Sequence, residues 1–495
     1  MIQPRSSLRS LMFVGTASHV GKSVITAGFC RLLRQDGYQP APFKAQNMSL
    51  NSYVTPDGLE IGRAQVVQAE AAGIECHTDM NPVLLKPTTD KSSQVILHGK
   101  PVGTQSAYEY FREGNRQELF AEVTGAYDRL AQRFSPVVME GAGSISELNL
   151  KARDITNMRM ALHAGAATYL ISDIDRGGVF GSLYGTMGLL SPEERGCIKG
   201  IIINKFRGDS RLFNEGRTMI EDLCGVPVIG VLPFFRDIVI EEEDSVSMKQ
   251  RKIGTQGDKV NIAVVLLNRL SNFTDFDRLE QDPRVHLFYT NQPAEIRAAD
   301  IIILPGSKNT IEDLIALKNN GVAPAICQAH KGGKTVIGIC GGYQMMGELI
   351  EDPHSVESSV RKEAGLGLLP VRTVLLPHKT TLRCSFTYRH TGESCTGYEI
   401  HMGQTTPTGN SSDPVNLFPD GRTDGFFAGR ACWGTYMHGI FDNAGVVNDV
   451  LSDFTAGSEI ASDYRQYKEE QYDKLATLLR THIDIKQVYR DLYID

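Results

Sequence analysis

Two segments carry residue types suited to phosphoryl and covalent chemistry. The first, Gly15-Thr-Ala-Ser-His-Val-Gly21-Lys22-Ser23, is a glycine-bounded turn ending in Lys-Ser before the helical run Val24-Ile-Thr-Ala-Gly-Phe-Cys-Arg-Leu-Leu. Backbone N–H groups and the dipole at a helix start attract phosphate. Lys22 would reach the terminal phosphates and the Ser23 hydroxyl a magnesium ion. The loop is a variant, because Thr16 stands where glycine is usual and Gly15 comes one place earlier. The second segment, Thr335-Val-Ile-Gly-Ile-Cys340-Gly-Gly-Tyr-Gln-Met-Met-Gly, runs apolar strand, cysteine, paired glycines, helix. That order makes a nucleophile elbow: glycines permit the sharp turn, and the helix start lowers the thiol pKa and helps stabilise an oxyanion.

Each segment needs companions. A metal-bound triphosphate calls for carboxylates at strand ends, and Glu140, after Pro136-Val-Val-Met and before Gly141-Ala-Gly143, fits that place, although a Glu there also caps turns. Asp57 and Glu60, in Thr55-Pro-Asp-Gly-Leu-Glu60, compete to be a second magnesium ligand; Glu60 is taken forward and Asp57 stays open. Lys44, in Pro42-Phe-Lys-Ala-Gln-Asn47, is placed either to steady a transferred phosphoryl group or as a plain surface lysine. Asn204, followed by Lys205, suits hydrogen bonding to a purine, and Asp173-Ile-Asp175-Arg-Gly-Gly suits metal, substrate or the shaping of a loop. Beside Cys340, a base must return a proton to leaving ammonia; His438, in Trp433-Gly-Thr-Tyr-Met-His438-Gly-Ile-Phe-Asp442, is the first choice and His401 the second. Gly306, in Leu304-Pro-Gly306-Ser-Lys-Asn-Thr, offers an N–H to an oxyanion.

The elements that must hold these residues alternate short apolar runs with helical stretches, the pattern of parallel sheets wrapped by helices. Strands are expected at 11–14, 137–140, 168–172, 200–203 and 228–232, then again from Asn261-Ile-Ala-Val-Val-Leu through Ile301-Ile-Ile-Leu to residue 335 onward, followed by a Thr- and Gly-rich β region. This divides the chain into an ATP-binding amide synthetase domain at 1–240, a charged linker at 241–259, an amidotransferase domain at 260–447 and a helical tail at 448–495, expected to pack on the second domain. The fold class expected is α/β: a phosphate-loop parallel-sheet domain followed by a class I glutamine amidotransferase-like α/β domain.

Composition bounds the function. A chain of 495 residues exceeds one ordinary core. A net charge of -7 provides no basic field for a nucleic acid. The start, 1–14, is too short for a signal peptide, and no run reaches the roughly 18 apolar residues of a membrane helix. Nine cysteines without close pairing fit a reducing cytoplasm and give no zinc or iron-sulfur spacing.

Several longer runs, among them Phe43-Lys-Ala-Gln-Asn-Met-Ser-Leu-Asn-Ser, Gly62-Arg-Ala-Gln, Met80-Asn-Pro-Val-Leu-Leu-Lys-Pro, Glu140-Gly-Ala-Gly-Ser, Asp173-Ile-Asp-Arg-Gly-Gly, Asn204-Lys-Phe-Arg-Gly-Asp and Gly397-Tyr-Glu-Ile-His, join these segments. With them the whole chain resembles the cobyric acid synthase family, glutamine-hydrolysing amidotransferases of the cobalamin pathway. The N-terminal half is also similar to dethiobiotin synthetase. These resemblances imply Lys22 and Lys44 on ATP phosphates, Ser23 and Glu140 on Mg²⁺, Cys340 as nucleophile and His438 as its base. They further imply glutamine and a corrinoid as substrates, with the b, d, e and g carboxylates of adenosylcobyrinic acid a,c-diamide amidated through acyl phosphates. Class I enzymes usually place a Glu two residues after the histidine; here Ile440 stands there, which leaves the orienting partner of His438 open. The alternatives are a cobyrinic acid a,c-diamide synthase, a partitioning-type ATPase switch with an inert C-terminal half, and a ligase using free carbon dioxide. Corrinoid-contacting residues, order of amidation and a homo-oligomeric state stay open.

Overall fold

The computed structural model describes residues 8–88, 92–110, 113–241, 254–409, 413–455 and 464–493. Its N-terminal half is built on six parallel strands in the order Val228–Pro233, Ile198–Phe206, Ala167–Asp173, Leu11–Gly15, Val137–Glu140, Ala41–Phe43. Leu11, Met12, Phe13 and Val14 are wholly buried, because helices cover both faces of the sheet and every side chain of a central strand meets a core. The helix Lys22–Gln35 follows the central strand directly. Its start therefore lies at the carboxyl ends of the strands, where ligands bind in open α/β sheets.

An excursion of four short strands, Gln46–Met48, Val83–Pro87, Ser92–Leu97 and Lys100–Ser106, extends this half. Its outer strand reads Lys-Pro-Val-Gly-Thr-Gln-Ser and is largely exposed, so no apolar alternation marked it in the sequence.

The C-terminal half has its own sheet: Val285–Thr290, Val260–Val265, Ile301–Leu304, Thr335–Ile339 and Cys432–Thr435 run parallel, and Phe426–Phe427 pairs antiparallel at the edge. The expected β-rich region is a long hairpin, Val371–Tyr388 with Glu393–Pro407. It reaches the first half, where Lys379 pairs with Glu60 and Arg383 with Glu75 at 3.0 Å.

The tail does not pack mainly on the second half as expected. Helix Tyr464–His482 lies along Lys22–Gln35: Leu475 and Leu479 fill the space over Gly28, and Arg31 donates to Glu469 and Asp473 at 2.6 Å each. Amphipathicity announced an apolar face but could not say that the complementary slot was the side-chain-free strip at Gly28. Near its start the helix does touch the second half, with Tyr467 donating to Gln281 at 3.0 Å. Most of the expected linker, 242–253, falls outside the described residues. Its first residue, Glu241, is buried against Arg63. No described helix is long and apolar enough to cross a membrane.

Candidate active sites

The phosphate loop leaves Leu11–Gly15 and turns into the helix at Gly21, whose φ of 100° lies in the left-handed region open to glycine. A Cβ there would also overlap the Asn204 amide. The N-cap, Gly21, supplies no side-chain cap, and a helix start of this kind suits an anion. Lys22 Nζ folds back over the loop, donating to the Ala17 and Gly143 carbonyls at 3.1 and 2.9 Å.

Glu140 stands at the end of its strand, as expected. Its Oε1 accepts from Ser23 Oγ at 2.7 Å and from Lys44 Nζ at 3.0 Å, while Oε2 accepts from Gln68 at 2.7 Å. Ser23, Lys44 and Glu140 thus converge at the loop. Lys44 is no surface lysine; it forms a buried ion pair. Hydroxyl and carboxylate oxygens side by side are the hard donors magnesium takes when substrate phosphates supply further ligands. Among the described residues no group of three His, Cys, Asp or Glu gathers to make a protein-only cage.

Two expectations change. Glu60 is not at the phosphate loop: it is buried with Oε1 2.7 Å from Lys86 Nζ of its own half and Oε2 on Lys379, which reaches it from the second half. Burial would raise its pKa, but the two ammonium groups pull it well below the usual carboxylate range. Both oxygens are occupied, so it is no magnesium ligand in this arrangement; Asp57 is exposed and bonded to Thr55. Asn204, expected to meet a purine, has both amide atoms engaged, donating to the Val20 carbonyl at 2.8 Å and accepting from the Lys205 N–H at 2.9 Å. It steadies the loop. Asp173 and Asp175 also shape a loop, pairing with Lys205 at 2.9 Å and Arg207 at 2.6 Å.

In the second half, Cys340 sits between strand Thr335–Ile339 and helix Gly341–Met346 at φ 51°, ψ −109°. Such backbone in a non-glycine residue costs of order 1–3 kcal/mol and recurs at nucleophiles. Gly342 permits the elbow, since a Cβ there would overlap the Leu304 carbonyl oxygen. Cys340 Sγ lies 3.7 Å from the Ile400 carbonyl and close enough to the His438 ring to help raise its pKa. His438 is held by paired backbone bonds with Tyr398, at 2.9 and 3.1 Å, and by that tyrosine's ring stacked on its own at 5.3 Å. Gly306 borders the pair: a Cβ on it would stand 3.4 Å from His438 Cε1. His401 instead stacks on Tyr436 and bonds the Gly403 carbonyl at 2.8 Å.

The orienting partner left open by Ile440 is Asp275. Its Oδ2 accepts from His438 Nδ1 at 2.7 Å and its Oδ1 from the Gly439 N–H at 3.0 Å. Both side chains are only 2% exposed. Burial would lower the histidine's pKa, but Asp275 and Cys340 outweigh it and push it up to about 10. The ring therefore stays protonated at neutral pH, beside the sulfur. Asp275 comes from Asn272-Phe-Thr-Asp275-Phe-Asp, a stretch 163 residues from His438. The only signal was an acid in an aromatic-rich run just after a strand.

The halves touch at this place. Asn272 Nδ2 donates to the Ser52 carbonyl at 2.9 Å and Thr274 Oγ1 to Asn51 Oδ1 at 3.1 Å. The residues that carry Asp275 are thus tied to the synthetase half.

Comparisons with known proteins agree with both halves. Residues 11–248 match a family described as CobQ/CobB/MinD/ParA nucleotide binding domain, and residues 261–446 one described as CobB/CobQ-like glutamine amidotransferase domain. Cobyric acid synthases from Parabacteroides distasonis (59% identical over 493 residues, 99% of each chain) and Bacteroides fragilis (59% over 488 residues, 98% of this chain and 99% of that one) align nearly end to end. So does one from Syntrophobacter fumaroxidans, at 48% over 507 residues, 97% of this chain and 98% of that one. The chain belongs to the cobyric acid synthase family. Members are glutamine amidotransferase ligases, and the two half-sites are what such a ligase requires: one to bind a nucleotide, one to open glutamine.

Proposed function

We propose that this ligase amidates the b, d, e and g carboxylates of adenosylcobyrinic acid a,c-diamide, using ATP and glutamine. The observation that carries the reading is the buried Cys340–His438–Asp275 line joined, through Asn272 and Thr274, to a half bearing a phosphate loop. The relatives' name supplies the corrinoid.

In the glutaminase half, the Cys340 thiolate attacks the amide carbon of glutamine. The His438 imidazolium gives its proton to the leaving nitrogen, releasing ammonia and leaving a glutamyl thioester. Neutral His438 then takes a proton from water, whose oxygen attacks the thioester; glutamate leaves and the thiolate–imidazolium pair is restored. Asp275 holds Nδ1 so that Nε2 faces the sulfur, and its charge stabilises the ring each time it is protonated.

In the synthetase half, a corrinoid carboxylate oxygen attacks the γ-phosphorus of ATP, ADP leaves, and an acyl phosphate forms. Ammonia attacks its carbonyl carbon and inorganic phosphate departs, leaving the amide. The loop N–H groups and Lys22 hold phosphates, and Lys44 lies where charge builds on the transferred group. A magnesium ion on Ser23 and Glu140 would offset phosphate charge.

The reading is tested by product balance: each new amide should accompany one ADP and one glutamate. ADP and glutamate appearing with no change in corrinoid mass would contradict the substrate assignment.

A further inference from the structure

The cavity at the phosphate loop has a volume of about 1130 Å³. Pockets that enclose drug-sized ligands run roughly 300–1,000 Å³, so a second sizeable ligand has room beside a nucleotide. Two features of its lining have no role in binding phosphate. One is apolar: Met48, Leu150 and Leu162 are 51%, 40% and 46% exposed, three large side chains left to water in the cavity's lining. The other is cationic. Arg159 lies over the Phe120 ring with its guanidinium carbon 3.7 Å from the centroid, and Arg153 offers its carbonyl to Arg116 Nε at 2.8 Å while its own side chain is exposed. Among the described residues no carboxylate pairs with Arg153 or Arg159.

Three of the cavity's five lining carboxylates are already matched by cations. Glu140 is held by Ser23, Lys44 and Gln68, Glu194 by Lys151 and Glu241 by Arg63. Asp154 accepts the Thr156 and Asn157 N–H groups at 2.8 and 3.0 Å. Only Glu147 among the lining acids has no such partner among the described residues.

We propose that this wall seats the corrinoid: Met48, Leu150 and Leu162 lie against the apolar macrocycle, and Arg153 and Arg159 receive peripheral carboxylates that are not being phosphorylated. The inference rests on the corrinoid reading above and deepens it by naming recognition residues. It also gives the enzyme a way to sense progress. Each amidation removes one negative charge from the ligand, so the guanidinium wall holds successive intermediates less and less firmly, and the finished amide is the form it retains least.

Equilibrium dialysis of the coloured corrinoids against the full-length protein reads this directly. The a,c-diamide substrate and the fully amidated product are compared at low and high salt, for the unaltered chain, Arg153→Gln and Arg159→Gln. The unaltered chain should prefer the substrate, with a preference that shrinks as salt screens the pairs. Each substitution should weaken substrate binding about three- to tenfold, with little effect on product. Arg159 packs on Phe120, so its replacement can disturb folding; the exposed Arg153 side chain carries no such packing, and Arg153→Gln decides the matter if Arg159→Gln does not fold. Equal preference and equal salt dependence in all three proteins, with the unaltered chain binding substrate, would overturn the seat while leaving the substrate assignment standing. Failure of the unaltered chain to bind either corrinoid would remove the assignment itself, and the seat with it.

Discussion

Replacing Asp275 by Asn keeps the shape of the site and removes one charge. In the intact protein the carboxylate accepts from His438 Nδ1 at 2.7 Å and from the Gly439 N–H at 3.0 Å, both away from water. A hydrogen bond to a charged group contributes about 1.5–3 kcal/mol. At about 1.36 kcal/mol per pKa unit, its loss lowers the imidazolium pKa by about one to two units. His438, pushed up to about 10 in the intact site, would then fall to about 8–9. Proton donation to the leaving nitrogen loses the same stabilisation, a rate decrease of about 10- to 100-fold. The assay is glutamate release across pH. The intact enzyme should hold its activity until the pH nears that of His438 deprotonation, because the ring must be charged; Asp275→Asn should lose activity at lower pH as well as being slower at its optimum. A variant within threefold of the parent, with its alkaline limb unmoved, would refute the orienting role.

Three further outcomes follow from packing and charge. Lys44→Ala leaves Glu140 buried without its cation, a change that costs about 3–5 kcal/mol at buried pairs, so urea unfolding should shift to lower concentration and amide formation should fail with glutamine or ammonia alike. Leu479→Ala empties a fully buried position over Gly28 and should lower unfolding free energy by about 2–5 kcal/mol by chemical denaturation; a change under about 0.5 kcal/mol would mean that the tail does not support the first half. Gly342→Ala drives a Cβ into the Leu304 carbonyl oxygen, backbone against side chain with no flexible end to yield, and should abolish glutamate release even where circular dichroism shows a folded protein.

What the sequence disclosed was local. Gly21-Lys22-Ser23 and Cys340-Gly-Gly each announce strand, turn and helix within a dozen residues, so periodicity and glycine placement sufficed to find them. Glu140 was legible for the same reason, as the last residue of an apolar run. The failures were long-range. Asp275 reaches His438 across 163 residues, and nothing near His438 named it. Glu60 was taken as a metal ligand because an acid near a loop is a reasonable one. Lys379, 319 residues on, neutralises it instead, and a charge 319 places away has no local signature. Asn204 illustrates a subtler limit: it lies within strand Ile198–Phe206 rather than after a strand, and its amide can turn to the loop because Gly21 has no side chain to fill that place.

The most direct test of the central claim is mass analysis of adenosylcobyrinic acid a,c-diamide incubated with ATP, Mg²⁺ and either glutamine or ammonia, comparing the intact chain with Cys340→Ala. Successive carboxylate-to-amide conversions by the intact chain with both nitrogen sources, and by Cys340→Ala with ammonia only, are the result expected of two half-sites in one ligase. Conversion by Cys340→Ala on glutamine, or no conversion by the intact chain on either, would contradict it.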